Sequence, residues 1–160
     1  MNSKQHKSDL RDILGQFATG VAVVTSTDKG NYPIGMTINS FASVSLDPPL
    51  ILWSLRTSSY YYPNFRNNGN FAISVLSEDQ KELCKLFAGK QQEKFSQVDH
   101  YFGDLGIPIL GGSIAHLECE KRFEYEAGDH VIFVGEVIHF GSEEVRRPLV
   151  FHGGSFSTTR

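Results

Sequence analysis

The chain is poor in cysteine: Cys84 and Cys119 are the only two in 160 residues, far apart and outside any CxxC spacing. That count and spacing fit a reducing compartment better than a disulfide scaffold, and free thiols are expected. Basic excess is also missing. A formal net charge of −3 leaves no electrostatic footprint for nucleic acid. No run of apolar residues is long enough for a membrane span, and the opening "MNSKQHKSDLRD" lacks the apolar core of a signal peptide. The expectation is a soluble, cytoplasmic protein. GxGxxG and GxxxxGK[ST] are absent, so neither a Rossmann nucleotide site nor a Walker loop can be argued. The histidines at 6, 100, 116, 130, 139 and 152 show no HxH or HExxH spacing, and no metal is expected. No GxSxG elbow stands out.

What remains is a chain 40% hydrophobic and 21% charged, the balance of one globular domain over residues 1–160. Residues 1–8 are expected to be flexible. Leu10, Ile13, Leu14 and Phe17 recur at helical spacing after Ser8 and before Gly20. Strands are expected at 21–27, in one long run over 32–46, and at 50–55 and 70–76. Pro63 suits the first turn of a short helix. Ser77 and Gln80 form a capping box, opening a helix that ends near Gly89. Residues 90–112 read as a long surface loop. Two strands flank "AGDH" (127–130), where Gly128-Asp129 suits a tight turn. In the first, Ala115, Leu117, Cys119, Phe123 and Tyr125 alternate with water-facing His116, Glu118, Glu120, Arg122, Glu124 and Glu126. A last strand runs through "PLVFHGGSF". Many strands with hairpin links predict a mainly β chain: a closed antiparallel barrel with peripheral helices.

Within "GMTINSFASVSLDPPL" (35–50), one alternate set is apolar. The other offers Thr37, Asn39, Ser43 and Ser45 without a charge. A planar ring with a polar edge would suit such a wall, since hydroxyls and amides pair with that edge without burying a charge. Hydroxyls pairing across strands would produce the same pattern. "SLRTSSY" (54–60) places Ser58 and Ser59 ahead of a helix beside Arg56, an arrangement that serves either a phosphate or an ordinary cap. Lys90 and Lys94 could close over an anion or simply be solvated. His130, just after the turn, is a rim residue able to donate to a ligand.

Taken in order, "FATGVAVVT", "GMTINSFASVSLDPPL", "FAG", "EKF", "AGDH" and "PLVFHGGSF" resemble the flavin reductase-like family from about Phe17 to Phe156. The resemblance implies an FMN-binding split barrel, homodimeric, that takes FMN or FAD and uses NADH or NADPH as hydride donor. It implies a separate flavin-dependent monooxygenase as recipient of reduced flavin. By position, Met36, Thr37, Ile38, Asn39 and Ser40 would line the isoalloxazine. Trp53, Ser54, Leu55, Arg56, Ser58 and Ser59 would hold the ribityl chain and phosphate, with Phe87, Ala88, Gly89 and Lys94 completing the site. His130 would be the catalytic residue near the nicotinamide, and His152 and Phe156 would border the same cleft. Many relatives carry a tyrosine where Phe156 stands, so a phenol hydrogen bond is missing there. The alternatives are a non-catalytic flavin- or haem-binding split barrel, and a pyridoxamine-phosphate-oxidase-type enzyme.

Overall fold

A computed structural model describes residues 3–90, 93–143 and 146–159. In chain order they form α1 (Ser3–Leu14), β1 (Thr19–Gly20), β2 (Ala22–Thr27), β3 (Pro33–Ile38), β4 (Ala42–Leu46), β5 (Pro49–Arg56) and α2 (Tyr62–Asn67). There follow β6 (Asn70–Val75), α3 (Lys81–Ala88), a 3-10 turn (Phe95–Gln97), β7 (His100–Phe102), β8 (Pro108–Leu110), β9 (Ala115–Ala127), β10 (His130–Ser142), β11 (Leu149–His152) and β12 (Ser155–Thr158). The chain is mainly β with few helices. α1 is already helical at Ser3, five residues before the expected cap. The box at the approach to α3 is half formed: Ser77 N–H donates to Gln80 Oε1 at 3.1 Å, but the Ser77 hydroxyl donates to Asp79, and the helix starts only at Lys81.

Seven strands form one antiparallel sheet in the order β3-β2-β6-β9-β10-β5-β4. The expected single strand over 32–46 is therefore two strands, and they are the two edges of the sheet. In a flat sheet those edges would stand roughly 29 Å apart, six spacings of about 4.8 Å. The link 39–41 can reach only roughly 14 Å, so the sheet has to curl. Ser40 supplies the local reason for the break. Ala42 pairs with Leu52 across β4 and β5, and continuing that register would bring residue 40 to Ser54. The Ser40 hydroxyl takes that place in the ladder, donating to Ser54 O at 3.1 Å and accepting from Ser54 N–H at 3.0 Å. The backbone is free to turn away. No ladder joins β3 to β4 among the described residues, so the roll stays open on that side.

The core inside the roll centres on Trp53, packed against Phe65, Phe71 and Phe133 with ring centroids 4.9–5.7 Å apart. A second cluster, including Val23, Leu76, Phe87 and Leu110, lies under α3 and the small β1-β11-β12 sheet. Two expectations fail here. β9 does not keep one inward face, because a bulge falls at Arg122: Phe123 opposes Val134 while Lys121 opposes Gly135. The extra residue reverses the alternation. Cys119 is fully buried, but Phe123 and Tyr125 are 51% and 54% exposed and stack on each other outside. Of the loop expected over 90–112, Gln91 and Gln92 lie outside the described residues, and the part from Phe95 to Leu110 is built of a 3-10 turn and two strands instead. β7 and β8 pair as a hairpin that covers the sheet, burying Ile107, Ile109 and Leu110. Glu118, expected in water, is 2% exposed and accepts from Asp104 N–H at 3.2 Å and Leu105 N–H at 2.8 Å. It ties down the tip of that hairpin.

Candidate functional site

The open side of the roll is a cleft. β3 and the link contribute Met36, Thr37, Ile38, Asn39 and Ser40. The end of β5 and the turn after it contribute Ser54, Leu55, Arg56, Ser58 and Ser59, and His130 opens β10 on the far rim. The cleft holds about 360 Å³. Antiparallel pairing sets this rim: His130 faces Arg56 across β10 and β5, and Gly128, at φ 64°, makes the turn that delivers the histidine. His130 Nδ1 lies 2.7 Å from Asp129 Oδ1. That bond, with the charges of His130 and Arg56, holds the Asp129 carboxyl below the usual carboxylate range. With Asp129 ionised, the bond fixes the proton on Nδ1 and points Nε2 away from the carboxylate.

The polar wall divides by what its groups already do. Ser40 is committed to Ser54 on β5, as the cross-strand reading has it, whereas Thr37 donates to Cys84 O of α3 at 2.7 Å, so it is occupied by a helix rather than by a strand. Asn39 and Ser58 make no hydrogen bond among the described residues and remain free to meet a ligand. The Cys84 thiol is buried, and burial raises its pKa. Burial also pushes Cys119 up to about 12, so neither is a nucleophile at neutral pH.

A second cleft of about 660 Å³ shares Met36, Thr37, Ser58 and Ser59 with the first and continues past Tyr60, Tyr61, Phe87, Ala88, Gly89, Lys90 and Lys94. α3 ends here because Gly89 leaves helical geometry, its N–H closing the last turn on Lys85 and Leu86 carbonyls. Lys94 is 2% exposed. Its ammonium donates to Phe87 O at 3.2 Å and lies 5.4 Å and 5.7 Å from the Tyr61 and Phe87 ring centroids. Among the described residues it has no carboxylate partner. Burial lowers its pKa, the mark of a cation short of counter-charge.

A family model described as the flavin reductase like domain matches residues 14–160. The chain belongs to the flavin reductase-like family. The FMN reductase (NADH) SmoA of Agrobacterium fabrum is 45% identical, the match covering 95% of this chain and 86% of that protein. The reductase subunit HsaB of a flavin-dependent monooxygenase from Rhodococcus jostii is 37% identical, covering 92% of this chain and 75% of the subunit. The structure of the Streptomyces globisporus NADH:FAD oxidoreductase SgcE6 with NAD and FAD fragments superposes with a TM-score of 0.93 at 38% identity, over 100% of this chain and 96% of that one. Some relatives are longer: the chain spans 48% of one from Rhizobium meliloti.

In this flavin reductase-like chain the residues singled out from sequence converge on the two clefts, with three exceptions. Trp53 is fully buried in the core, its ring turned to Phe65, Phe71 and Phe133, so its side chain is withdrawn as a cofactor contact. The strand alternation that exposes Ser54 to the cleft sends Trp53 inward. His152 and Phe156 sit on the β11–β12 hairpin and line neither cleft within one chain. Phe156 instead packs on the second core cluster. Ser58 and Ser59 are not at a helix N-terminus, since α2 begins at Tyr62 behind an N-cap at Tyr61. They occupy the preceding turn. The sequence reading missed Tyr60, Tyr61 and Asp129. Tyr60 and Tyr61 immediately follow the residues it did select, and Asp129 adjoins His130.

Proposed function

We infer that this chain is an NAD(P)H:flavin oxidoreductase that passes hydride from reduced nicotinamide to FMN or FAD, with NADH the donor named for its relatives. The supporting observation is a pair of adjoining clefts in which Thr37, Asn39 and Ser58 lead from Arg56 to the buried Lys94 ammonium, which among the described residues has no carboxylate partner. The residues fit a flavin. Asn39 and Ser58 carry uncommitted donors and acceptors for a polar ring edge, Met36 offers an apolar surface, and Lys94 supplies the charge a phosphate needs. The flavin, when bound, supplies the hydride-accepting ring. The protein's part is to position it. Asn39, after β3, and Ser58, after β5, would hold the ring's polar edge, Lys94, after α3, would hold the phosphate, and the Asp129-bonded His130 on the other rim would hold the nicotinamide-bearing partner.

The curled sheet, open between β3 and β4, is read as the family's split barrel. Two copies pair as a homodimer, covering the exposed stripe of α1 and bringing residues such as His152 and Phe156 to a partner's cleft. Reduced flavin passes to a separate flavin-dependent monooxygenase, as the naming of HsaB suggests, and two unpaired buried cysteines suit the cytoplasm. Steady-state NADH oxidation, measured with and without added FMN or FAD, tests the activity. Flavin-dependent consumption is expected. NADH consumption no faster than in a protein-free control, with flavin or without it, removes this function and leaves a binding module.

A further inference from the structure

The sulfur of this chain resides in two methionines and two cysteines, Met1, Met36, Cys84 and Cys119. Met1 lies outside the described residues, and the other three differ sharply in what an oxidant can do to them. Cys84 is 3% and Cys119 0% exposed, and burial raises both thiol pKa values, so neither offers the thiolate that a peroxide attacks. A thioether needs no deprotonation. Ile34, Gly35 and Ile38 of β3 are buried, but Met36 between them is only half-buried. Its side chain packs on the core cluster around Trp53, and the residue lines both clefts. Among the described residues it is the one sulfur open to a small solute.

Its place gives that chemistry a consequence. Met36 is the apolar surface offered to the flavin ring, and a flavin reductase supplies its own oxidant. Reduced flavin that no monooxygenase takes up gives two electrons and two protons to dioxygen, which becomes hydrogen peroxide. We propose that Met36 is a peroxide modification site whose sulfoxide closes the cleft to flavin, so that turnover without an acceptor shuts the enzyme down. The proposal rests on the flavin-reductase reading for the source of peroxide and for the ligand that is lost. In the step, a sulfur lone pair attacks one peroxide oxygen; the O–O bond breaks, an S–O bond forms and the sulfur loses two electrons. The hydroxyl now on sulfur gives its proton to the departing hydroxide, which leaves as water. A flexible apolar side chain has become polar. Its oxygen, set against the face of a ring with no donor to offer, opposes binding. Methionine sulfoxide reductases reverse the change, which makes it a switch.

Flavin-free protein treated with hydrogen peroxide, then digested and mapped by mass spectrometry, tests the site. One added oxygen is expected on the peptide that carries Met36, with both cysteines unmodified. Fluorescence titration of the treated protein should show FMN binding weakened by roughly tenfold or more, and recovered after incubation with methionine sulfoxide reductase. Met36→Leu, whatever its starting affinity for FMN, should keep that affinity through the same treatment, which separates the switch from general oxidative damage. Aerobic turnover of NADH and FMN without a monooxygenase should place the same sulfoxide on Met36, and catalase should prevent it. Three results overturn the proposal: Met36 intact after a treatment that oxidises N-acetylmethionine in the same tube, a Met36 sulfoxide that leaves FMN affinity unchanged, or turnover that releases peroxide and spares Met36. Untreated protein that binds neither FMN nor FAD defeats the flavin-reductase reading and the switch with it. That failure is distinct, because the other three begin from protein that binds flavin.

Discussion

Lys94 is the residue whose physics most constrains the site. Its folded-state pKa lies below the ordinary lysine value, so the unfolded chain binds that proton more firmly than the folded one. The sign follows: stability of the ligand-free protein is lowered while Lys94 is charged and rises as pH climbs through the folded pKa toward the unfolded value. An anion beside the ammonium removes the deficit. Lys94→Met, similar in volume and uncharged, should therefore melt no lower than wild type without ligand. It should bind FMN about tenfold to a hundredfold more weakly, the loss of one charge-assisted hydrogen bond, while riboflavin, which has no phosphate, binds as before. Thermal melts with and without FMN, together with flavin fluorescence titrations, check all three. Equal weakening for FMN and riboflavin would remove Lys94 from the phosphate. His130 makes a different prediction. His130→Ala should reduce kcat/KM for NADH by roughly tenfold or more, with the flavin Kd nearly unchanged, because the lost contact is to the donor. Unchanged steady-state kinetics would end that role.

At the scale of elements, the hairpin β7–β8 depends on Glu118. Glu118→Ala leaves two hairpin-tip N–H groups without their acceptor, at a cost of about 1–3 kcal/mol. A melting point lower by roughly 2–4 °C for each of those kilocalories is expected, with FMN affinity preserved because the hairpin lies away from both clefts. An unshifted melting curve would show that water replaces the carboxylate. Such features were hard to read from sequence because they are made by tertiary contact. Alternation in β9 marked Glu118 as solvent-facing, and the bulge at Arg122, which reverses that alternation, has no local signature. Ser40 likewise looked like one more strand residue. Its role as a substitute rung beside Ser54 exists only because β5 lies alongside. What could be read was local chemistry: Pro63 in the first turn of α2, Gly128 in the turn before His130, and the Ser77–Gln80 contact. The cleft residues were legible as a group by their order along the chain, Met36 to Ser40 and Ser54 to Ser59, since alternation alone would put adjacent Met36 and Thr37 on opposite faces. The same alternation, applied to β5, would have placed Trp53 inside.

At the scale of the whole molecule, the described surface includes an apolar stripe near the start of the chain. Leu10, Ile13, Leu14 and Phe17 are 48%, 68%, 65% and 80% exposed, a continuous apolar stripe along α1 and the turn after it that a lone domain would normally cover. The proposed homodimer covers it, and the isolation of His152 and Phe156 from the cleft of their own chain agrees with a site completed by two copies. Replacing Leu14 and Phe17 together by aspartate should shift sedimentation from dimer to monomer and lower flavin affinity at the same time. A wild-type chain that sediments as a monomer would contradict the dimer without touching the cleft of one chain. The claim on which the whole account turns is that this cleft binds flavin and delivers hydride to it. The most direct measurement is the absorbance spectrum of the protein mixed with FMN or FAD, followed through anaerobic addition of NADH. The account predicts a perturbed oxidised-flavin band on mixing, bleached by NADH far faster than in a protein-free control. A spectrum identical to free flavin, unaltered by NADH beyond that control, would contradict it.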